Sequence, residues 1–235
     1  EAKGFVEDAE GTVLFRTGYL SRDKKNGVDD TSSAAQTAII NLDSGFTKGI
    51  VGFGAGIIGD ASFKLGKNGH TGNQMIPTHS DNADGTKDAY DHWARGGAYV
   101  KARVSNTTAK YGTQVSEIPV IASNTARLTP EYYTGLYIES NEIKDLTLIG
   151  GKFTKNQWSN DISSDQQNLD SAIFWGAKYK FNDQVNASYY GVDVKDKLDR
   201  HYGNINYTHG LKNDAALILD FTGYHTDWET EAATD

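Results

Sequence analysis

The stretch AYVKARV at residues 98–104 decides the fold class, because it alternates between two kinds of side chain without an exception. Its even-numbered positions are all apolar, and its odd-numbered positions hold Tyr99, Lys101 and Arg103. Successive side chains of a β-strand point to opposite faces. The stretch therefore predicts a strand with one apolar face and one basic face.

The same alternation recurs in residues 11–22, 173–181 and 217–222, which predict three further strands of this kind. Weaker segments raise the expected number to about eleven strands, most of them near the ~9–11 residues that a tilted membrane strand needs. These weaker segments are residues 37–42, 49–58, 108–113, 132–139, 146–153, 185–192 and 202–207. The basic residues expected on the polar faces are Arg16, Arg22, Lys101, Arg103, Lys110, Lys178 and Lys180.

The composition fits strands whose apolar side chains cover only one face. Hydrophobic residues make up 37% of the 235 residues, and the chain has 25 glycines but only 3 prolines. The mean hydropathy is −0.57, and no run approaches the ~18 apolar residues of a membrane helix. A barrel with a lipid-facing apolar band and a wet interior needs only every second strand residue to be apolar. We therefore expect an all-β, transmembrane antiparallel β-barrel and exclude a helical membrane protein.

The predicted connections alternate between short and long. The short turns are residues 43–47, 105–107, 141–144, 182–184 and 209–214. The long polar loops are residues 24–33, 66–92, 115–130 and 155–170. This order is typical of barrels in the bacterial outer membrane, which have short periplasmic turns and long extracellular loops.

The basic faces indicate what such a barrel would conduct. A confined pore lined by guanidinium and ammonium groups concentrates anions and offers carboxylates a series of weak partners. Solute passes along the series when no single site holds it too tightly. The alternative is that these cations form the solvated face of a soluble sheet, but seven cations in phase with apolar faces favour the pore.

Residues 115–130 differ from the other long loops in their moderate apolarity. Such a loop can fold into the pore and narrow it, with Arg127 at the narrowest point and Glu117 and Pro119 beside it; the alternative is an ordinary surface loop.

Three glycines on one strand face either leave room for a loop against the wall or curve the strand. They are Gly52, Gly54 and Gly56.

Other chemistries find little support in the sequence. The absence of cysteine removes disulfides, thiolate nucleophiles and cysteine-based metal sites. The net charge of −8 argues against nucleic acid as a partner, and no G-x-S-x-G or phosphate-loop motif predicts an enzyme. One loop region gathers histidines and aspartates, but its spacing does not match an EF-hand, so we expect no metal and no cofactor. These residues are His70, His79, His92, Asp81, Asp84, Asp88 and Asp91.

The order of several motifs resembles the OprD-type substrate-specific porins of Gram-negative outer membranes. The resemblance begins with EAKGFVED at residue 1, continues through LFRTGYLSRD at residue 14 and DSGFTKGIVGFG at residue 43, and covers essentially the whole chain. Its densest stretches are ARGGAYVKARVSNTTAKYG at residues 94–112, PVIASNTARLTPEYYTG at residues 119–135 and LTLIGGKFT at residues 146–154.

The resemblance implies an eighteen-stranded barrel, often gathered in homotrimers, that takes up small carboxylate-bearing solutes and in some members admits antibiotics. It implies a ladder of basic residues that includes Arg22, and a third extracellular loop that folds inward with Arg127 at the constriction. Outer-membrane lipid and lipopolysaccharide are the implied surroundings. The residues that match other basic positions of the family's motifs are Arg16, Lys101, Arg103 and Lys110.

Two features depart from the family pattern. Residues 28–33, VDDTSS, hold no basic residue where better-known members carry an arginine, so we expect a different substrate preference or a shorter ladder. The chain reaches Asp235 after about eleven strands, so we expect residues 1–235 to form the N-terminal part of a single barrel domain. Two alternatives stay open: a non-specific diffusion porin, and a soluble carbohydrate-binding or enzymatic β-sandwich.

Overall fold

The computed structural model describes residues 3–66, 73–79 and 87–229, and its regular structure is entirely β. The strands are β1 (Glu10–Arg22), β2 (Thr31–Asp43), β3 (Val51–Lys64), β4 (Thr78–His79), β5 (Asp88–Ala89), β6 (His92–Val104), β7 (Thr107–Gln114), β8 (Tyr132–Ser140), β9 (Leu146–Gln157), β10 (Ala172–Lys180), β11 (Val185–Val194), β12 (Leu198–Gly210) and β13 (Ala216–Trp228). None of the described residues belongs to a helix long and apolar enough to cross a membrane.

Eleven of these strands form one antiparallel sheet in the order β1-β2-β3-β6-β7-β8-β9-β10-β11-β12-β13, and β4 pairs only with β5. The order is a simple meander in which each strand pairs with the next strand of this sheet, and the short β4–β5 pair lies in the connection between β3 and β6. The predicted number of strands and the all-β class are confirmed. At the two ends of this order, β1 pairs with β2 and β13 pairs with β12.

Strand β2 is much longer than the segment predicted at residues 37–42. Its first half has small side chains on both faces, so the hydrophobic contrast on which a period-two pattern depends is missing. On one face the residues Ser33, Ala35 and Thr37 have at most 1% of their surface exposed. The segment at residues 73–76 covers them. The side-chain amide of Asn73 in that segment donates a 2.7 Å hydrogen bond to the hydroxyl of Ser33.

The sheet has an outer face that is apolar and uncovered. Phe15, Tyr19 and Phe221 on this face are 71%, 70% and 68% exposed. Apolar surface costs about 25 cal/mol per Å² when it faces water. The outer face is therefore stable only against an apolar medium such as lipid acyl chains, which is the medium that the alternation predicts.

The connections confirm the predicted asymmetry over most of the sheet. Two residues, 105–106, join β6 to β7 at one end, whereas residues 115–131 join β7 to β8 at the other. The exception is the connection from β11 to β12, which has only residues 195–197 although it lies on the side of the long loops. A sequence pattern of long and short segments does not predict this short turn.

The inner face of the sheet, which carries residues 73–79 and 116–131, holds the buried side chains. In one cluster Ile118 and Val120 of the loop pack against Phe153 and Phe174 of the wall. In a second cluster Met75 and Leu128 from two different loops pack with Trp93. The core therefore lies between the inner face of the sheet and the loops that fold onto it, rather than between two sheets.

The glycine face of β3 lies on this inner side. A Cβ atom at Gly54 would lie 2.6 Å from the Lys101 Cε and 2.8 Å from the carbonyl oxygen of Gly45. A Cβ atom at Gly56 would lie 2.2 Å from the hydroxyl of Tyr99. The space left by these glycines is thus filled by neighbouring side chains and by the turn between β2 and β3.

Candidate functional site

The seven basic residues predicted to share a face all lie at inner-face positions of the sheet. The register pairs Arg16 with the buried Thr37, and Lys101 with Lys110. Lys178 shares its face with the buried Phe174 of the same strand. Alternation thus placed these residues on the correct side, but their surroundings differ.

Arg16 contacts the loop at residues 115–131, which we call the inward loop. Its guanidinium Nη1 donates a 3.1 Å hydrogen bond to the carbonyl oxygen of Thr125 and another to the carbonyl oxygen of Arg127. These contacts engage the Arg16 head group with protein. We therefore assign Arg16 to holding the inward loop in place.

Lys101 is held in an ion pair that the sequence did not suggest. Its ammonium lies 2.8 and 2.7 Å from the two carboxylate oxygens of Asp43, and the Tyr99 hydroxyl donates a 2.7 Å hydrogen bond to the same carboxylate. Asp43 lies at the end of β2, where it reads as an ordinary turn residue. Only the pairing across β2, β3 and β6 brings it to Lys101.

Phe46 lies between Lys101 and Arg103. The Lys101 ammonium is 4.6 Å and the Arg103 guanidinium carbon is 4.8 Å from the centre of the Phe46 ring. Within the described ranges Arg103 makes no ion pair with a carboxylate. Arg103 thus keeps its positive charge uncompensated near the end of β6.

Lys110 and Lys178 meet at a cavity of about 460 Å³ beneath the inward loop. The Lys110 ammonium lies 4.0 Å from the centre of the Tyr99 ring. Neither lysine forms an ion pair with a residue that the structure describes. Polar and acidic side chains complete the lining, among them Glu117, Tyr137, Glu139, Thr147 and Tyr190, and Pro119 of the inward loop borders it as well.

Arg127 lies on the other side of the inward loop, at a second cavity of about 290 Å³. Glu131 borders the same cavity and is fixed from two sides. One of its oxygens accepts a 2.8 Å hydrogen bond from the backbone N–H of Asn124, and the other accepts a 2.8 Å hydrogen bond from the side-chain amide of Asn156. The predicted constriction residues are thus divided between two cavities, with Glu117 and Pro119 at one and Arg127 at the other.

The remaining predicted residues lie toward the two ends of the sheet. Lys180 pairs with Asp183 at 2.7 Å in the exposed turn after β10, and the Lys180 ammonium lowers the pKa of the Asp183 carboxyl. Arg22 is exposed at the opposite end, where β1 leaves the sheet. It forms no ion pair with any residue in the described part of the chain.

The described residues of the histidine and aspartate region do not form a metal site. His70, Asp81 and Asp84 lie outside the described residues. Among those that are described, no three histidine, cysteine or carboxylate side chains come together as metal ligands.

Arg95, which binds an aspartate of the sheet and the main chain of two loops, was not predicted from the sequence. It lies on the same face as Lys101 and Arg103, but the strand was predicted to begin only at residue 98. The predicted strand missed the residues before it because Gly96 and Gly97 weaken the pattern. Extending the odd-numbered face backward through Trp93 would have found Arg95.

Solved structures with a similar backbone are porins. The crystal structure of Acinetobacter baumannii OccAB1 matches with a TM-score of 0.90 and 61% identity, over 97% of this chain and 55% of that one. Pseudomonas aeruginosa OpdK with vanillate matches with a TM-score of 0.81 and 26% identity, over 97% and 60%. P. aeruginosa OccK2 (OpdF) in complex with glucuronate matches with a TM-score of 0.77 and 27% identity, over 95% and 56%.

Sequence comparison leads to the same group. Porin D of Pseudomonas aeruginosa is 35% identical over 241 residues, which cover 99% of this chain and 53% of that protein. The chain thus spans about half the length of this curated relative. The model of the family described as "outer membrane porin, OprD family" matches residues 3–235. The chain belongs to the OprD family, whose members are porins of the bacterial outer membrane and not enzymes.

Proposed function

We propose that this chain forms part of the wall and the constriction of a channel for passive, selective uptake of small carboxylate-bearing solutes. The observation that carries the proposal is the cavity beneath the inward loop. There the ammonium groups of Lys110 and Lys178, which form no ion pair with a described residue, share one polar lining. A carboxylate has two oxygens and can accept charge-assisted hydrogen bonds from two such donors.

The distribution of free and compensated charge supports a path for anions. Lys101 and Lys180 are neutralised by aspartates, whereas the Arg16 guanidinium keeps its charge but donates hydrogen bonds to loop carbonyl groups. Five of the predicted site residues have no acidic partner in the described ranges, and they extend from the exposed end of β1 to the end of β6. They are Arg22, Arg127, Lys110, Lys178 and Arg103.

A functional channel must release what it attracts. The ammonium groups in the cavity are accompanied by Glu117 and Glu139, whose negative charges weaken the positive potential. The Lys178 side chain is also exposed on the inner face, so water competes for its hydrogen bonds. Moderate binding of this kind is compatible with conduction, which requires that sites be neither too weak nor too tight.

Relatives with bound ligands support the chemical class. The solved structures of OpdK and OccK2 (OpdF) contain vanillate and glucuronate respectively, and both ligands bear a carboxylate. The outer face of this sheet further supports membrane lipid and lipopolysaccharide as its surroundings. Assembly as a homotrimer stays a prediction from the family resemblance.

Planar-bilayer recording of the full-length protein tests the proposal against the non-specific porin. Vanillate should reduce the salt current saturably, whereas vanillyl alcohol, which has the same ring but no carboxylate, should not. Equal effects of the two solutes, or no effect of either, would show a diffusion pore without carboxylate selectivity.

A further inference from the structure

A buried ion pair connects the wall of the sheet to two loops. The Arg95 guanidinium donates to Asp60 through Nε at 3.3 Å and through Nη2 at 2.9 Å, and both side chains have 0% exposure. The Tyr132 hydroxyl donates a 2.8 Å hydrogen bond to the same carboxylate, and its ring centre lies 5.0 Å from the Arg95 guanidinium carbon. Because solvent and solute cannot reach these groups, Arg95 is not a rung of the basic ladder.

The rest of the guanidinium binds loop backbone. Nη2 donates a 2.6 Å hydrogen bond to the carbonyl oxygen of Pro130, and Nη1 donates a 2.6 Å hydrogen bond to the carbonyl oxygen of Trp158. Pro130 belongs to the inward loop, and Trp158 begins the connection from β9 to β10. Arg95 therefore joins both loops to the wall through one rigid, planar group.

These two loops form opposite sides of the cavity that contains Arg127. Trp158 and Ser159 line it from one loop, and Arg127 lines it from the other. The Thr129 hydroxyl adds a second link between them, a 2.6 Å hydrogen bond to the carbonyl oxygen of Ser159. A shift of Pro130 therefore moves Arg127, which is only three residues away, relative to the facing loop.

We propose that Arg95, held by Asp60 and Tyr132, is the positioning residue that fixes the width of the constriction at Arg127. A buried ion pair is often no more stabilising than apolar side chains of the same volume. Its distinctive property is that the fork-shaped donor group requires one arrangement of its acceptors. The pair thus sets where the loops lie, in addition to how firmly the sheet is folded.

The inference rests on the proposed channel, but its test uses potassium chloride alone, so its failure and the failure of carboxylate selectivity can be distinguished. The full-length porin is compared with its Arg95→Lys variant in planar bilayers. Lysine keeps the charge next to Asp60 but lacks the planar fork that reaches both carbonyl groups. We expect open-channel current noise to rise about two-fold or more, with altered conductance, because the loops move more freely.

Two further variants complete the design. Tyr132→Phe removes one hydrogen bond to Asp60 and keeps the ring, so it should raise the noise by a smaller amount even if Arg95→Lys fails to fold. Ser62→Ala is the matched control, because Ser62 is buried on the same strand as Asp60 and, among the described residues, its hydroxyl bonds only to Thr37 of the neighbouring strand. Noise and conductance at the wild-type level in folded Arg95→Lys would overturn the proposal, as would an equal increase in Ser62→Ala. If Arg95→Lys does not fold, wild-type noise in Tyr132→Phe overturns it.

Discussion

Neutralising Asp43 should make the channel more selective for anions. Asp43 holds the Lys101 ammonium at 2.7 Å, so Lys101 adds little net charge to the inner face. The Asp43→Asn variant keeps the shape of the side chain and an oxygen that accepts the hydrogen bond of Tyr99. It removes one negative charge and leaves the Lys101 charge uncompensated.

The size of the effect can be worked out for an ion that passes ~7 Å from the Lys101 ammonium. At that distance in water the interaction between the two unit charges amounts to about 0.6 kcal/mol. Screening at ~0.1 M salt reduces this to about 0.3 kcal/mol. An anion gains this amount and a cation loses it, so the difference of about 0.6 kcal/mol raises the ratio of anion to cation permeability about three-fold.

The reversal potential across a potassium chloride gradient measures this ratio directly. Asp183→Asn is the matched control, since it frees Lys180 in the same manner but in an exposed turn, where the two side chains are 54% and 96% exposed. We expect a much smaller change from that variant. An unchanged reversal potential in Asp43→Asn, or an equal shift in both variants, would refute the reasoning.

Two other predictions concern the cavity and the loops. Lys178→Met should weaken the block by vanillate about ten-fold, equivalent to about 1.4 kcal/mol, because it removes one of two ammonium donors; a titration of current block measures this. Lys180→Met, on the same strand and face, should leave the block unchanged, and equal losses would mean that the cavity is not the binding site. Separately, the Lys195 ammonium lowers the pKa of the Asp170 carboxyl, so the stabilising effect of this pair is present above the ordinary value of 3.8 and is lost as the pH falls through the lowered pKa. Titration of the Asp170 carboxyl by carbon NMR should show that its pKa rises toward 3.8 in Lys195→Met. An unchanged pKa would exclude Lys195 as the cause of the lowered value.

The sequence predicted those features of the fold that depend on contrast between neighbouring side chains. Strands β1 and β10 alternate strongly and were found with ends correct to within one residue, whereas β6 and β13 alternate over only part of their length and were predicted too short. The first half of β2 was missed because its two faces carry side chains of similar size and polarity. Its depth of burial comes from a covering loop that is distant in the sequence.

The site was predicted less completely than the sheet, and for a physical reason. Alternation gives the face on which Arg16, Lys101 and Lys110 lie, but it gives no information about what each head group touches. Arg16 binds carbonyl groups more than 100 residues along the chain, Lys101 meets an aspartate from another strand, and Lys110 has no acidic partner in the described ranges. Three cations with the same pattern thus have three different environments.

The arginines that hold the inward loop bind its main chain. Arg16 and Arg95 donate to carbonyl oxygens of Thr125, Arg127 and Pro130, and every amino acid supplies such an oxygen whatever its side chain. Mutations can therefore exchange the side chains that meet solute without removing the acceptors that keep the loop in place. Evolution of new substrate preferences in this protein is then separable from maintenance of its pore architecture.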